Sequence, residues 1–369
     1  MTGGLIVLFG IIAMVTLHEG GHFLAAKATG MKATEFFFGF GPKLWSIRRG
    51  ETEYGVKAIP LGGYVRIIGM NPYEEVAEED LGRTYREQPF WAKSVVVLAG
   101  VASHFVVAFF IFFFVATVVG SQEVTTTVDA VQGTFEDGSI TPASAAGVGA
   151  GDTILRIDGV AVDGWVEVVA EIRAHPGETV TIRVERDGEE VVLTATLASL
   201  DDDAGGKRGF LGVVPATETV RLNPIAALVD SGASVGQATG ASSSGMWQLF
   251  SGLGDLVQAT ISGDTDAINE VRPASPIGLV RIGAQTEQFG IGFTLELIAL
   301  INVFVGLFNL IPMYPLDGGH FAVALYEKVR GRQADVAKLA PIAAVVIIFM
   351  VLLGVLAIYL DVTNPITLR

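Results

Sequence analysis

Two histidines and a glutamate stand close together near the start of the chain, in the stretch VTLHEGGHF. His18 and His22 are four residues apart, so a helix places both imidazoles on one face, where they can reach the same ion. Glu19 stands beside them and can act as a base on a water molecule at that ion. This HExxH spacing is typical of a zinc site with two histidine ligands and a glutamate base.

The residues around this motif are apolar. The preceding LIVLFGIIAM is typical of the interior of a membrane helix. Ionisable groups are costly there and usually mark function, although a structural polar cluster between helices is the alternative. Gly20 and Gly21 each cost roughly 1 kcal/mol of helix propensity relative to alanine. Their presence indicates the close approach of a neighbouring helix or of a substrate.

A hydrolytic zinc site needs a third protein ligand and an open position for water. Asp317 is the only acid in 297–326, and Pro312 and Pro315 interrupt the apolar run just before it. A carboxylate on irregular backbone at membrane depth calls for a buried partner. His18 lies about 20 Å along its helix from the start of the apolar run. Asp317 lies at the end of an apolar run that is predicted to cross the membrane in the same direction. His18 and Asp317 are therefore expected at the same depth.

The composition indicates a membrane protein with a large polar part. The 369 residues are 50% hydrophobic and 17% charged, with a mean hydropathy of +0.52. Four apolar runs are long enough to cross a bilayer, at 5–28, 95–120, 293–311 and 341–360. The chain has no cysteine, which excludes disulfides and thiolate metal ligands.

The charges predict a topology. Residues 121–292 hold 24 acidic and 9 basic side chains, which accounts for the whole net charge of −15. Such a block does not suit nucleic acid or an anionic lipid surface. Ten basic residues lie in 27–93, and four more follow the third apolar run. The positive-inside rule therefore places these two loops in the cytoplasm and the acidic block outside.

Two stretches indicate β-structure. Residues 33–69 are rich in aromatic and β-branched residues, with a turn signal at Gly50, and predict a hairpin sheet that dips into the membrane face. Residues 123–216 predict short strands around one helix. The Ala/Ser/Gly-rich stretch 221–290 is expected to hold amphipathic helical pieces near 224–229 and 246–261. It is either a linker or a membrane-surface or gating element.

Three further polar residues lie near the candidate site. Asn309 either holds a substrate carbonyl or caps the helix that ends before Pro312. His104, in the second apolar run, hydrogen-bonds either to the substrate and site or to a neighbouring helix. His320 is a partner of the metal ligands or a residue of the cytoplasmic face, and the second interpretation is favoured.

These motifs resemble those of the site-2 intramembrane metalloproteases, most closely the bacterial regulator-of-sigma-E protease branch. The resemblance rests on HEGGH, the later NLIPMYPLDGG and the connecting GFGPKLW…IPLGGYVR, in the family's order. The stretch SAAGVGAGDTILRIDG is similar to bacterial PDZ domains, and GFLGVVP resembles their closing strand. Relatives often have AGPxxN in the second apolar run, where this chain has AGVASH, and this difference leaves the role of His104 open.

The resemblance implies a role for each candidate residue. Its implied zinc ligands are His18, His22 and Asp317, and Glu19 is the implied general base. It also implies that Asn309 assists substrate or transition-state binding. The hairpin is implied to pair with unwound substrate, since strand addition supplies backbone partners.

The expected fold is a polytopic α-helical membrane protein with four transmembrane helices, a membrane-associated β-hairpin sheet and an extracytoplasmic β-rich PDZ domain. The predicted segments are the first transmembrane helix with HEGGH (1–30), the hairpin region and connector (31–93), the second transmembrane helix (94–120), the PDZ domain (121–218), the post-PDZ amphipathic region (219–292), the third transmembrane helix with LDGGH (293–320), a cytoplasmic loop (321–338) and the fourth transmembrane helix with a short tail (339–369).

The expected function is zinc-dependent intramembrane cleavage of membrane-anchored proteins, of the anti-sigma-factor or signal-peptide-remnant type. The expected location is the bacterial plasma (inner) membrane, with the active site near the cytoplasmic face. Expected partners are single-span substrates, peptide or substrate termini at the PDZ domain, and the bilayer, but not nucleic acid. The alternative is a non-catalytic membrane scaffold that presents a PDZ domain. Glu19 favours the enzyme, because a scaffold needs no base. A transporter would show repeated spans, which the sequence lacks.

Overall fold

The structure is a computed structural model that describes residues 2–71, 74–135, 137–201, 205–264, 268 and 272–366. The helices longer than one turn are α1 (Thr2–Ala28), α2 (Phe90–Phe114), α3 (Pro142–Ala146), α4 (Trp165–Ala174), α5 (Pro224–Ser251), α6 (Leu253–Ser262), α7 (Pro276–Gln285), α8 (Ile291–Asn309), α9 (Asp317–Arg330) and α10 (Ala340–Thr363). The strands are β1 (Ala33–Arg49), β2 (Thr52–Ile67), β3 (Ser121–Val131), β4 (Thr153–Ile157), β5 (Val160–Ala161), β6 (Thr179–Arg186), β7 (Glu189–Thr196), β8 (Ala198–Asp201), β9 (Lys207–Phe210) and β10 (Val213–Val220).

Four of these helices are long and apolar enough to cross a membrane: α1, α2 with its π-helical extension to Val119, α8 and α10. The shortest, α8, has 19 residues, which at about 1.5 Å per residue nearly matches the ~30 Å hydrocarbon core. The chain is therefore a multi-pass membrane protein.

Glycines of α1 let neighbouring helices approach it closely. A Cβ on Gly21 of α1 would lie 2.5 Å from the carbonyl oxygen of Ala99 on α2. A Cβ on Gly3 would lie 2.1 Å from the carbonyl oxygen of Gly283 on α7. Small residues at such crossings let dispersion contacts replace the missing hydrophobic driving force. Gly21 therefore serves helix packing, whereas a Cβ on Gly20 would meet nothing within 4 Å.

Several predicted boundaries differ from the structure. Helix α2 begins at Phe90, four residues before the predicted start at 94. The predicted third transmembrane segment, 293–320, contains two helices, because α8 ends at Asn309 and α9 begins at Asp317. The proline-containing stretch between them cannot supply the N–H groups that a continuous helix needs. Most of the predicted loop 321–338 is accordingly the rest of α9.

The hairpin folds back on itself. Strands β1 and β2 pair antiparallel, and Phe36 of β1 lies opposite both Tyr54 and Val65 of β2. The first half of β1 thus lies between the two halves of β2, and Gly39 and Gly41 adopt positive φ at the fold between the halves of β1. Among the described residues, β2 pairs only with β1. The second half of β2 therefore forms an outer edge of this sheet.

Residues 120–221 form a compact unit of their own. Its main sheet has the strand order β10-β3-β4-β6-β7, with β5 paired to β4. Alternate residues of β6 are buried, so one face of the sheet covers a core that includes Ile154, Val168 of α4 and Ile182. Strands β8 and β9 form a separate two-stranded sheet, which lies between β7 and β10 along the chain.

Between positions 222 and 285, the described residues are more helical than predicted. The predicted pieces near 224–229 and 246–261 are parts of one 28-residue helix, α5, and of α6. Asn223 caps α5, because its side-chain oxygen accepts from the N–H groups of Ile225 and Ala226. Ser231 and Thr239 donate to the carbonyls four residues earlier, which satisfies their hydroxyls in an apolar setting.

Candidate metal centre

Helix α1 and the start of α9 bring three side chains together. The Nε2 atoms of His18 and His22 are 3.2 Å apart. The Oδ2 atom of Asp317 lies 3.4 Å from each of them. These residues are the one set of histidines and carboxylates in the described chain whose ligand atoms cluster in this way.

The three atoms fit a zinc ion. Zinc–nitrogen and zinc–oxygen bonds of about 2.0–2.1 Å in a tetrahedron place neighbouring ligand atoms roughly 3.3–3.4 Å apart. The observed triangle therefore matches one face of such a tetrahedron, and the fourth corner remains for water or substrate.

Protonation supports the same conclusion. His22 Nδ1 lies 2.8 Å from the carbonyl oxygen of Val96 on α2. A carbonyl can only accept, so Nδ1 carries the proton, and Nε2 of the neutral ring presents a lone pair. Asp317 Oδ2 is buried and has no hydrogen-bond donor among the described residues. Electron-pair donors that converge in this way are stabilised by a cation, and a hydrogen bond from the outer ring nitrogen is typical of a metal-ligating histidine.

Helix α2 shapes the space around His22. A Cβ on Gly100 would lie 2.3 Å from Nε2 and Cε1 of that imidazole. Only glycine leaves room for the ring while Val96, one turn earlier, holds its outer nitrogen. The sequence offered no signal for Val96, because a backbone carbonyl is independent of side-chain type. Gly100 was visible only as one glycine in an apolar helix.

Glu19 lies beside this triangle and faces the hairpin. A Cβ on Gly63 of β2 would lie 3.3 Å from Cγ of Glu19, so glycine lets the strand pass directly over the carboxylate-bearing side chain. The outer half of β2 also borders a cavity of about 1060 Å³. Its other lining residues include His320 and three small residues of α10, namely Ala340, Ala343 and Ala344.

The other predicted polar residues have different settings. Asn309 is the half-buried last residue of α8. His320 lines the cavity, and its ring centroid lies 4.7 Å from that of Tyr314. His104 is buried, and its ring centroid lies 4.8 Å from that of His18. Its Nδ1 lies 3.4 Å from the side-chain oxygen of Asn302 on α8. Sequence reasoning missed Asn302, although an asparagine within an apolar run was a usable signal.

Ion pairs of Glu51 with residues at the end of α1 and in the connector after β2 hold the hairpin in place. The Arg83 guanidinium and the Lys27 ammonium both bind Glu51 at the hairpin turn, at 2.9 and 2.5 Å, and lower the pKa of Glu51 to about 2. Burial and the Glu35 carboxylate, which accepts from the hydroxyl of Tyr64, raise the pKa of Tyr64 above its usual value. These links join the end of α1 and the two strands.

Known proteins are similar to this chain in sequence over nearly its whole length. Peptidase family M50 matches residues 6–353. The zinc metalloprotease Rip1 of Mycolicibacterium smegmatis is 34% identical, with 98% of each chain covered. The zinc metalloprotease RasP of Shouchella clausii is 26% identical, with 97% of this chain and 98% of RasP covered.

A solved structure resembles a smaller part of the chain. It is the PDZ domain of an SdrC-like protein from Listeria innocua, at 26% identity and a TM-score of 0.20, covering 25% of this chain and 92% of that domain. The family match covers nearly the whole chain, including both parts of the metal centre. The chain therefore belongs to peptidase family M50 and is a zinc metalloprotease of the site-2 type.

Proposed function

We propose that His18, His22 and Asp317 hold the zinc ion of this intramembrane protease and that Glu19 is its general base. The observation that carries the proposal is the triangle of converging lone pairs, whose sides of 3.2, 3.4 and 3.4 Å suit tetrahedral zinc. A bound zinc ion supplies Lewis acidity toward a carbonyl oxygen and toward water.

The protein side chains perform the proton transfers. Glu19 takes a proton from the attacking water and passes it to the nitrogen of the leaving amine. The position of Glu19, next to two of the three converging side chains and beneath β2, suits both transfers. Asn309, at the end of α8, is proposed to donate from its side-chain amide to the developing oxyanion.

The outer half of β2 is proposed to receive the substrate. A helix hides its carbonyls in internal hydrogen bonds, so a transmembrane segment must unwind before water can attack it. An extended segment added beside β2 recovers these hydrogen bonds by strand addition. Gly63 brings the strand close to Glu19, and the 1060 Å³ cavity along β2 provides the space.

The substrates and the orientation in the membrane follow as further parts of the proposal. The substrates are single-span segments of membrane-anchored proteins, of the anti-sigma-factor or signal-peptide-remnant type. Cleavage takes place near the cytoplasmic face of a bacterial plasma membrane. The β-rich unit of residues 120–221 is a PDZ domain outside the cytoplasm that binds peptide or substrate termini and restricts bulky substrates. The acidic charge of 121–292 and the basic loops support this orientation.

Cleavage of a single-span reporter by the purified protein tests the catalytic assignment. We expect Glu19→Gln to retain zinc and to lose at least about 10²-fold in rate, the lower bound of a general base's contribution. Glu296→Gln is the matched control, because it changes the other glutamate within an apolar helix and is expected to keep the wild-type rate.

Three results would contradict the proposal. Cleavage that persists in Glu19→Gln would exclude Glu19 as the base. A His18→Ala protein that binds zinc as tightly as wild type would exclude the proposed ligand set. A wild-type protein that binds zinc and cleaves no reporter would favour the membrane scaffold.

A further inference from the structure

The two histidines of the metal centre are held differently. His22 is oriented through its outer nitrogen, Nδ1, by the carbonyl of Val96. The ring of His18 interacts with the backbone of Gly100, but its buried Nδ1 makes no hydrogen bond of normal geometry to any described residue. A metal-binding imidazole normally needs such a second contact to fix its orientation. A further contact is therefore needed to restrict the ring of His18.

The imidazole of His104 lies against that ring. The two ring centroids are 4.8 Å apart, and the ring planes are tilted by 34°. This separation lies within the range of about 4.5–7 Å in which aromatic rings attract each other. His104 is 1% exposed, so its ring cannot move away into solvent.

Helix α8 fixes the orientation of His104. The Asn302 amide nitrogen donates to the carbonyl of Ile298 at 2.9 Å, which leaves the Asn302 side-chain oxygen as an acceptor. Nδ1 of His104, 3.4 Å from that oxygen, must therefore be the donor. One turn after Asn302, Gly306 makes room, because a Cβ there would lie 2.9 Å from Cβ of His104.

We propose that His104, held by Asn302, is the positioning residue of His18 and keeps its Nε2 directed at the zinc ion. The contact takes the place of the hydrogen bond that His22 donates to the carbonyl of Val96. The inference rests on the proposed function, because it takes His18 to be a zinc ligand. The pair also links α8 to the metal centre through α2, so that three membrane helices contribute to one site.

The release of zinc to a chelator from the purified full-length protein tests this role without reference to cleavage. Loss of an outer contact to a metal ligand typically costs 10–100-fold in affinity or activity. We expect His104→Ala to release zinc at least about 10-fold faster than wild type. Asn302→Leu keeps the ring of His104 and removes its hydrogen-bond acceptor. Its rate of zinc release should therefore lie between those of wild type and His104→Ala. In cobalt-substituted protein, the visible absorption bands of His104→Ala should shift, because the geometry around the metal changes.

Phe105→Ala is the matched control. It removes an aromatic ring from the same interface of α2 and α8, where Phe105 packs against the apolar cluster that includes Ala108 and Val303. We expect it to release zinc at the wild-type rate. If His104→Ala does not fold, the zinc-release rates of His104→Phe and Asn302→Leu take its place in this test, since both variants keep a side chain of similar size.

Two results overturn the inference. Zinc release from His104→Ala at the wild-type rate, with an unchanged cobalt spectrum, would show that His104 does not position His18. Equally fast release from Phe105→Ala would show that general loosening of the helices is the cause. A failure of the proposed function looks different, because His18→Ala would then itself bind zinc normally.

Discussion

At the scale of single residues, the candidate metal centre depends on a backbone carbonyl and on the absence of a side chain at a glycine, as well as on the candidate ligand residues. His22 has its outer nitrogen on the carbonyl of Val96 and its ring against the bare Cα of Gly100. In both contacts the partner of the imidazole is a backbone atom and not a polar side chain. Because the imidazole is held at both ends, it cannot move aside for an added methyl group.

Gly100→Ala is therefore expected to weaken zinc binding by about 10–100-fold, the range for loss of support around a metal ligand. The new Cβ would lie 2.3 Å from the His22 ring, so either the ring or α2 must shift. Zinc affinity measured by competition with a chelator checks this. Gly20→Ala is the control, because its Cβ meets nothing within 4 Å, and it should keep wild-type affinity. Wild-type affinity in Gly100→Ala would contradict the role of this close contact.

At the scale of elements, α2 is the support of the site. Lys93, Val96, Gly100 and His104 recur every three or four residues and are all buried on one face. Lys93 binds Glu327 of α9 at 2.8 Å. The same face therefore contacts α9, which begins with Asp317, as well as α1 through His22 and α8 through His104.

In the β-rich unit, one ion pair joins two strands and predicts a pH dependence. Asp152, just before β4, accepts two hydrogen bonds of 2.7 Å from Arg186 at the end of β6. The Arg186 guanidinium and the N–H of Gly149 lower the pKa of Asp152 below its usual value. A carboxyl whose pKa is lower in the folded state stabilises that state above its unfolded pKa of about 3.9, and this stability is lost as pH falls toward the folded value.

Asp152→Asn is thus expected to lower the urea midpoint of this unit at pH 7, and the deficit should shrink below about pH 4. Fluorescence of Trp165, with the other tryptophans replaced by phenylalanine, reports on this unit alone. Asp201→Asn is the control, because its pair with Lys207 is exposed and such pairs contribute little. A deficit that stays constant between pH 3 and pH 7 would contradict the assignment.

At the scale of the whole molecule, the last helix is joined to a distant segment by a buried ion pair. Asp361, near the end of α10, binds Arg272, and the two side chains are 1% and 2% exposed. The same carboxylate accepts from the N–H of Ser275 at 2.7 Å. It lies against Gly278 of α7, where a Cβ would come within 2.2 Å of Oδ2. The other end of α10, where the helix begins, borders the cavity along β2.

Asp361→Leu is expected to destabilise the protein by about 3–5 kcal/mol, because it leaves the buried Arg272 charge without a counter-charge. Thermal unfolding in detergent measures the change. The double variant Asp361→Leu/Arg272→Met should recover most of the loss, since it removes both charges and keeps apolar volume. A single variant as stable as wild type would show that water reaches Arg272.

The sequence by itself determined the features that depend on short-range periodicity. The spacing of His18 and His22 follows from 3.6 residues per helical turn, and the four long helices follow from runs of apolar residues. Asp317 was predictable as the only acid of its segment, since a carboxylate at that depth needs a partner. The boundaries of α8 and α9 were less predictable, because prolines indicate a break and not where the next helix begins.

Only the tertiary structure decided which groups support the candidate ligand residues. The carbonyl of Val96, the space at Gly100 and the contact between His104 and His18 arise where α1 and α2 meet, and the anchoring of His104 by Asn302 requires α8. The outer edge that β2 forms likewise exists only because the hairpin folds back on itself. These contacts join residues up to 198 positions apart, and no local pattern specifies them. Their physical basis is the close packing of helices, which brings backbone atoms and the space left by glycines next to the candidate ligand residues.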